Sequence, residues 1–244
     1  MNNIPQGEKL TVDSLFANLP TEVEQQVLPP SNGQFYQNKY LTVRPMTFED
    51  EKAMVVARKE KSDAVNTLLH RCVGGVSVHE ILLMDKLFLI LKLRELSYGP
   101  EYNTLLTCGH CTHDNKLTFN LDNLVLNYLE ESFQEPIEIT LPKTKVKIKV
   151  RLPRISDEIY LKDEEVIYSN LWRFIVSVND SEDPILISKF IQDPRFPIAD
   201  MSVISKSILS ADYGVQTKVK FECENCKKIN LTSLPLGADF FTMS

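Results

Sequence analysis

An α+β fold built from one unit used twice is predicted by three observations. Two C-x-x-C pairs, Cys108-Gly109-His110-Cys111 and Cys223-Glu224-Asn225-Cys226, stand 115 positions apart. Tyr98-Gly99 and Tyr213-Gly214 lead each pair by the same ten positions, and Asp85 and Asp200 also differ by 115. Further upstream, Val43-Arg44-Pro45 leads to Asp50-Glu51 as Val150-Arg151-Leu152-Pro153 leads to Asp157-Glu158, at an offset of 107. Each half then reads as strand, helical segment, helix ending in Tyr-Gly, strand, C-x-x-C knuckle, strand, and Lys116-Leu117-Thr118 pairs with Asn230-Leu231-Thr232 at an offset of 114. The rival reading is coincidence in a pattern of low information. The duplication divides the chain into an N-terminal arm at 1–34, a first repeat with the first knuckle at 35–135, and a second repeat with a basic hairpin and the second knuckle at 136–244.

In the arm, Val12 to Leu19 is a short apolar stretch, and Pro20, Pro29 and Pro30 interrupt the residues after it. It reads either as a helix that docks on a partner or as a loosely ordered terminus. Tyr40 to Arg44 alternates as a strand does and stops at Pro45. Thr47 and Asp50 form an acidic capping box for a helix from Phe48 to about Lys61, and a second helix starts after Ser62 or Asp63 and runs through Val65, Leu68, Leu69 and Cys72. Ser77 and Glu80 cap the longest helix, His79 to about Ser97, whose leucines leave only a narrow polar stripe and place it in the core. Asp85, Lys86, Lys92 and Arg94 argue against a membrane span there.

After the first knuckle, Leu117 to Leu121 returns as a strand and Leu124 to Tyr128 reads as a short helix. Pro136 to Leu141 and Lys145 to Arg151 alternate cleanly around Pro142-Lys143-Thr144, the clearest hairpin in the chain. Its second strand sets Lys145, Lys147, Lys149 and Arg151 on one face, a strip for an acidic partner or phosphate groups, or else a solvated face that discourages edge pairing. Asp163 caps a helix through Val166, Ile167, Leu171, Trp172, Ile175 and Val176; Pro184 to Ile191 and Asp200 to Ala211 give two more, and Gln216 to Glu222 is a strand into the second knuckle. Phe240-Phe241 is too apolar for water and packs on the core or into a neighbouring subunit.

The 244 residues can bury a core, and the net charge of −6 opposes a surface made to coat nucleic acid. The N-terminus lacks the basic and apolar regions of a secretory signal, so the reading is cytosolic synthesis with reduced thiols. Cys108, Cys111, Cys223 and Cys226 then read as the ligands of one structural Zn2+ per chain, and the fifth cysteine, Cys72, as a buried thiol. Two knuckles from two repeats make one zinc ribbon with four cysteine ligands, closing a loop of 111 residues. Closure costs about 4–5 kcal/mol, and a structural zinc contributes on the order of 10–16 kcal/mol in small peptides. His110 or His113 could replace one thiolate as a ligand.

Cys108-Gly109-His110-Cys111 also has the letters of a thiol oxidoreductase site. Such sites place the first thiolate at a helix N-terminus, whereas Thr112 to Leu121 reads as turn and strand. There is no phosphate-cradling glycine loop, no G-x-S-x-G and no H-E-x-x-H, so nothing nominates a nucleophile or a general base, and the chain reads as a non-enzyme without a small-molecule substrate.

One resemblance covers about residues 31–241. Gly33-Gln34-Phe35-Tyr36, Thr42 to Thr47, Asp50-Glu51-Lys52, Asp85 in a leucine-rich helix, Leu93 to Gly99 and the two C-x-x-C pairs, in this order and spacing, resemble the T-even-like bacteriophage baseplate hub family. The resemblance implies a non-enzymatic hub component or assembly factor of a contractile tail, with other baseplate or tail proteins as partners, in the virion or in the host cytoplasm during assembly. A zinc-ribbon regulator that binds nucleic acid and a thiol-disulfide oxidoreductase are the alternatives from other classes.

Overall fold

In the computed structural model, which describes residues 11–16, 24–209, 212–236 and 238–241, a three-stranded antiparallel sheet with helices on it occurs twice. The first half runs α1 (Val12–Phe16), β1 (Gln25–Val27), β2 (Leu41–Val43), α2 (Phe48–Lys59), α3 (Ala64–Cys72), β3 (Val73–Gly74), α4 (Leu83–Tyr98), β4 (Glu101–Thr107), β5 (Asp114–Asn120) and β6 (Leu126–Asn127). The second runs β7 (Ile137–Thr140), β8 (Lys147–Val150), α5 (Glu164–Asn170), β9 (Ile175–Val178), α6 (Pro184–Ile191), α7 (Ile198–Leu209), β10 (Gly214–Val215), β11 (Lys218–Glu222) and β12 (Ile229–Ser233). The sheets are β1-β2-β3 and β7-β8-β9, each with its middle strand followed by an Arg–Asp clamp.

The clamps show why the two sheets are alike. Arg44, just past β2, grips Asp50 with both guanidinium nitrogens (2.7 and 3.0 Å), and Asp50 also accepts the Thr47 amide at 2.9 Å. Arg151, just past β8, grips Asp157 in the same way (2.6 and 2.8 Å), and Asp157 accepts the Arg154 amide at 2.8 Å. In both halves the third residue of the long helix reaches the loop between the first two strands. Asp85 accepts the Ser31 amide (2.9 Å) and the Tyr36 hydroxyl (2.6 Å); Asp200 accepts the Lys143 and Thr144 amides (2.7 and 2.9 Å). A carboxylate in a first helical turn also faces the positive end of the helix dipole.

These carboxyls respond to pH with opposite signs. Burial raises Asp50, but Arg44, the Thr47 amide and Arg71 outweigh it and hold the group well below the ordinary 3.8. Burial likewise opposes, and Arg151 and the backbone amides of Thr144 and Lys143 respectively win, at Asp157 and Asp200. Each therefore adds stability that is present above the ordinary carboxylate value and is lost as the pH falls. At Asp85 burial wins and raises the group, so its contribution is present at low pH and is lost as the pH rises through the raised value. Denaturant titrations below about pH 4 should show a shallower fall in stability for Asp50→Asn than for the natural chain.

Several elements depart from the expectations drawn from sequence, each for a tertiary reason. Residues 25–34, expected in the arm, supply β1, with Val27 buried, and the Ser31 amide that Asp85 holds. Of the remaining arm, α1 is wholly exposed, and residues 1–10 and 17–23 lie outside the described residues. The Ser77–Glu80 box opens only a 3-10 turn over Val78–Glu80. Leu82 then bridges Arg154 of the other half, keeping the chain extended, so the long helix begins at Leu83. Leu126–Asn127 is a strand against Gly214–Val215 instead of a helix. The helix capped by Asp163 stops at Asn170, because Ile175 to Val178 is drawn into the sheet beside β8. The end of the last long helix, expected at Ala211, lies outside the described residues.

The largest core gathers β2, α3, α4 and apolar residues of both knuckle hairpins, including Leu89, Leu93, Tyr102, Leu106, Val219 and Phe221. The second unit has its own core around Ile148, Leu171, Phe174 and Ile204. Phe240 and Phe241 pack on the first core, Phe240 edge-on to Tyr102 at 5.0 Å, while the Tyr98 hydroxyl donates to the Phe241 carbonyl at 2.9 Å. The basic strip is met by acids: Lys147 by Glu138, Lys149 by Asp180 at 3.4 Å and Arg151 by Asp157 at 2.6 Å. Among the described residues no helix is long and apolar enough to cross a membrane.

Candidate metal centre

Both C-x-x-C segments are the tips of two-stranded hairpins, β4–β5 and β11–β12. Each turn is built by the same two backbone hydrogen bonds. The Cys108 amide donates to the His113 carbonyl (2.8 Å) and the Thr112 amide to the Cys108 carbonyl (3.0 Å); the Cys223 amide donates to the Lys228 carbonyl (3.0 Å) and the Lys227 amide to the Cys223 carbonyl (2.9 Å). Thr112 and Lys227 both take positive φ, 58° and 57°, which turns the chain sharply after the second cysteine.

The tips face each other and bring four sulfurs together. Cys108 Sγ lies 3.7 Å from Cys226 Sγ, and Cys111 Sγ lies 3.7 Å from Cys223 Sγ. All four sulfurs fall within 4.8 Å of one another, and the group includes neither His110 nor His113. A regular tetrahedron with metal–sulfur bonds of about 2.3 Å has sulfur–sulfur edges of about 3.8 Å. The four side chains therefore fit one tetrahedral ion and are too far apart for disulfides, whose sulfurs sit about 2 Å apart.

The surroundings favour thiolates in part. Burial pushes Cys108 up, but the amides of His110 and Cys111 and the Asn230 side chain outweigh it and bring the thiol down to about 6. Cys223 is lowered first by the Cys226 amide, against burial. The Lys228 amide lowers Cys226, yet burial and the three facing sulfurs carry it up to about 11. Four clustered sulfurs cannot all carry negative charge unless a cation sits between them.

Two asparagines that sequence reasoning missed lock the tips together. Asn230 Oδ1 accepts the Gly109 amide (3.0 Å), and Asn115 Oδ1 accepts the Glu224 amide (2.8 Å), each reaching from one hairpin to the other. Their amide nitrogens return to their own hairpins, Asn115 to the His113 carbonyl (3.0 Å) and Asn230 to the Lys228 carbonyl (3.1 Å). Asn230 Nδ2 also points at Cys108 Sγ, 3.5 Å away. Both asparagines stand seven positions after the first cysteine of their knuckle, so the offset stays at 115 through the strands. The offset of 114 slips that register by one and hides the pair.

The chemistry open to the site is closed coordination. Both knuckles lead into strands β5 and β12, so neither thiol sits at a helix N-terminus as a redox C-x-x-C does. Cys72 stands apart as a buried thiol pushed up to about 12 by burial, which makes it a poor nucleophile.

A family model described as T4 bacteriophage base plate protein matches residues 26–242. No curated protein and no solved structure matches the chain.

Proposed function

The chain belongs to the T4 bacteriophage base plate protein family, and from that premise we propose that it is a non-enzymatic component or assembly factor of the baseplate hub, made of two copies of one unit clipped together by a structural zinc. The observation that carries the zinc is the spacing of Cys108, Cys111, Cys223 and Cys226, with edges of 3.7 Å between opposite knuckles. An all-thiolate tetrahedron suits zinc or an iron–sulfur centre, and knuckles on hairpin tips around a single ion suit zinc. Four protein ligands leave no position for a substrate, so the ion holds the fold and does no chemistry.

The zinc joins hairpins whose apolar faces share one core with α4, which makes the metal part of the tertiary structure of both halves. Its partners are other baseplate or tail proteins, met in the host cytoplasm during assembly or in the finished tail. The basic hairpin gives nucleic acid little support, since Lys147, Lys149 and Arg151 each face an acid of the same chain. A tagged copy recovered from infected cells is expected to bring baseplate proteins with it; recovery of none would count against the reading.

Asn230→Ala tests the metal half of the proposal. It removes the acceptor of the Gly109 amide and a donor to Cys108 while leaving all four thiols. Metal affinity in competition with a chromophoric chelator is expected to fall about 10–100-fold, as it does when groups that orient ligands are lost. An unchanged affinity would mean that the asparagines serve only the hairpins.

A further inference from the structure

Inside the chain the two units meet head to tail. The lead-in to α4, Ile81-Leu82-Leu83, lies antiparallel to Pro153-Arg154-Ile155 of the second unit. The Ile155 amide donates to the Ile81 carbonyl (2.8 Å) and the Leu83 amide to the Pro153 carbonyl (3.1 Å). Ile81 and Leu82 are 0% exposed and Ile155 4%. Unlike surfaces meet here: the start of a helix on one side, the segment spanned by an Arg–Asp clamp on the other.

The same two surfaces occur again, and both are open. The offset of 115 maps Leu83 onto Ile198, the first residue of α7, and the offset of 107 maps Ile155 onto Phe48, the first residue of α2. Ile198 is 77% exposed and Phe48 69%. The start of the second unit's long helix therefore does not fold back onto the first unit to close a symmetric pair. We infer that a second copy of this chain covers them, with Ile198 of one copy against Phe48 of the next, repeating the contact that joins the two units within each chain.

The backbone allows that repetition. The internal bridge uses the carbonyl of Ile81 and the amide of Leu83 but not the amide of Leu82, which donates to the Tyr36 hydroxyl at 3.0 Å. Pro197, the counterpart of Leu82, thus removes nothing the bridge needs. Ile198 and Phe48 are each first in a helix, where backbone amides have no intrahelical partner and can take one from outside. The Lys86–Glu158 ion pair (2.6 Å) that flanks the internal contact has Met201 and Glu51 in the matching places, so the contact between copies lacks it. A small contact without that pair gives weak, concentration-dependent association, and because unlike faces meet it extends as a chain unless rotation closes it into a ring. The duplicated geometry alone calls for this contact, whatever the family.

Sedimentation of the full-length chain tests it, and the decisive arm is a mixture. The natural chain is expected to gain mass as its concentration rises toward about 1 mM, the weak end of measurable association. Phe48→Glu and Ile198→Glu, both at exposed positions, should each remain monomeric with an unchanged circular dichroism spectrum. Mixed in equal amounts they should form a dimer and nothing larger, because each variant keeps the face that the other has lost. A natural chain that stays monomeric, a single variant that assembles as the natural chain does, or a mixture that remains monomeric would each overturn the inference.

Discussion

Cys223→Ser is expected to abolish metal binding and to unfold both knuckle hairpins together. The serine cannot supply a thiolate, and it leaves Cys111 without the sulfur 3.7 Å away that faces it across the site. Structural zinc contributes on the order of 10–16 kcal/mol in small peptides, against a total stability of about 5–15 kcal/mol for a typical domain. The consequence should reach past the hairpin tips. Tyr102, Leu106, Val219 and Phe221 hang from these strands into the main core, and freeing the hairpins would open the core that they share with α4. Hydrogen exchange should show loss of protection first in Glu101–Asn120 and Lys218–Ser233, and then in α4. Cys72→Ser, in a buried site away from the cluster, should leave metal content unchanged. Protection retained in both hairpins of the Cys223→Ser chain would show that apolar packing alone holds them.

Asp50→Ala is expected to be the most damaging change outside the metal site. Asp50 is fully buried and receives Arg44 through two nitrogens and Arg71 Nε at 2.6 Å. Its removal strands two guanidinium groups, and that of Arg44 also props carbonyls, donating to Pro45 O (3.0 Å) and Arg71 O (2.9 Å). Breaking one side of a buried ion pair costs about 3–5 kcal/mol, so the midpoint of thermal unfolding should drop by roughly 10 °C in a chain of this size. Asp157→Ala should cost less, since Asp157 holds the one clamping arginine, Arg151, plus the Arg154 amide. Equal losses at the two positions would mean that Arg71 contributes nothing to the first clamp.

Features with a fixed spacing are legible in the sequence, and features that depend on the far half of the chain are not. The C-x-x-C pairs and the Arg44–Asp50 and Arg151–Asp157 spacing are local, and the structure puts equivalent residues in equivalent places. The two Tyr-Gly pairs part company: Tyr98-Gly99 ends α4, whereas Tyr213 lies outside any helix and Gly214 opens β10. The 136–151 hairpin is legible from its alternation and forms as β7 and β8. The start of α4 is not readable from its own residues, because Ser77 and Glu80 favour an earlier start and the Leu82–Arg154 bridge decides otherwise. Ile175 and Val176 continue a helical pattern until β8 offers them a ladder, and β-branched residues take it. Asn115 and Asn230 carry a signal, seven positions after each first cysteine, but the offset of 114 conceals it. The head-to-tail surfaces have no sequence signal, since Phe48 and Ile198 resemble ordinary helix-start residues until their counterparts Ile155 and Leu83 are seen in contact with the other unit.

The proposal that one metal clips the two units together is tested most directly by native mass spectrometry of the full-length chain under conditions that retain bound metal. The account predicts one zinc per chain in the natural protein and in Cys72→Ser, and none in Cys223→Ser. A natural chain that is fully folded and carries no metal would contradict it.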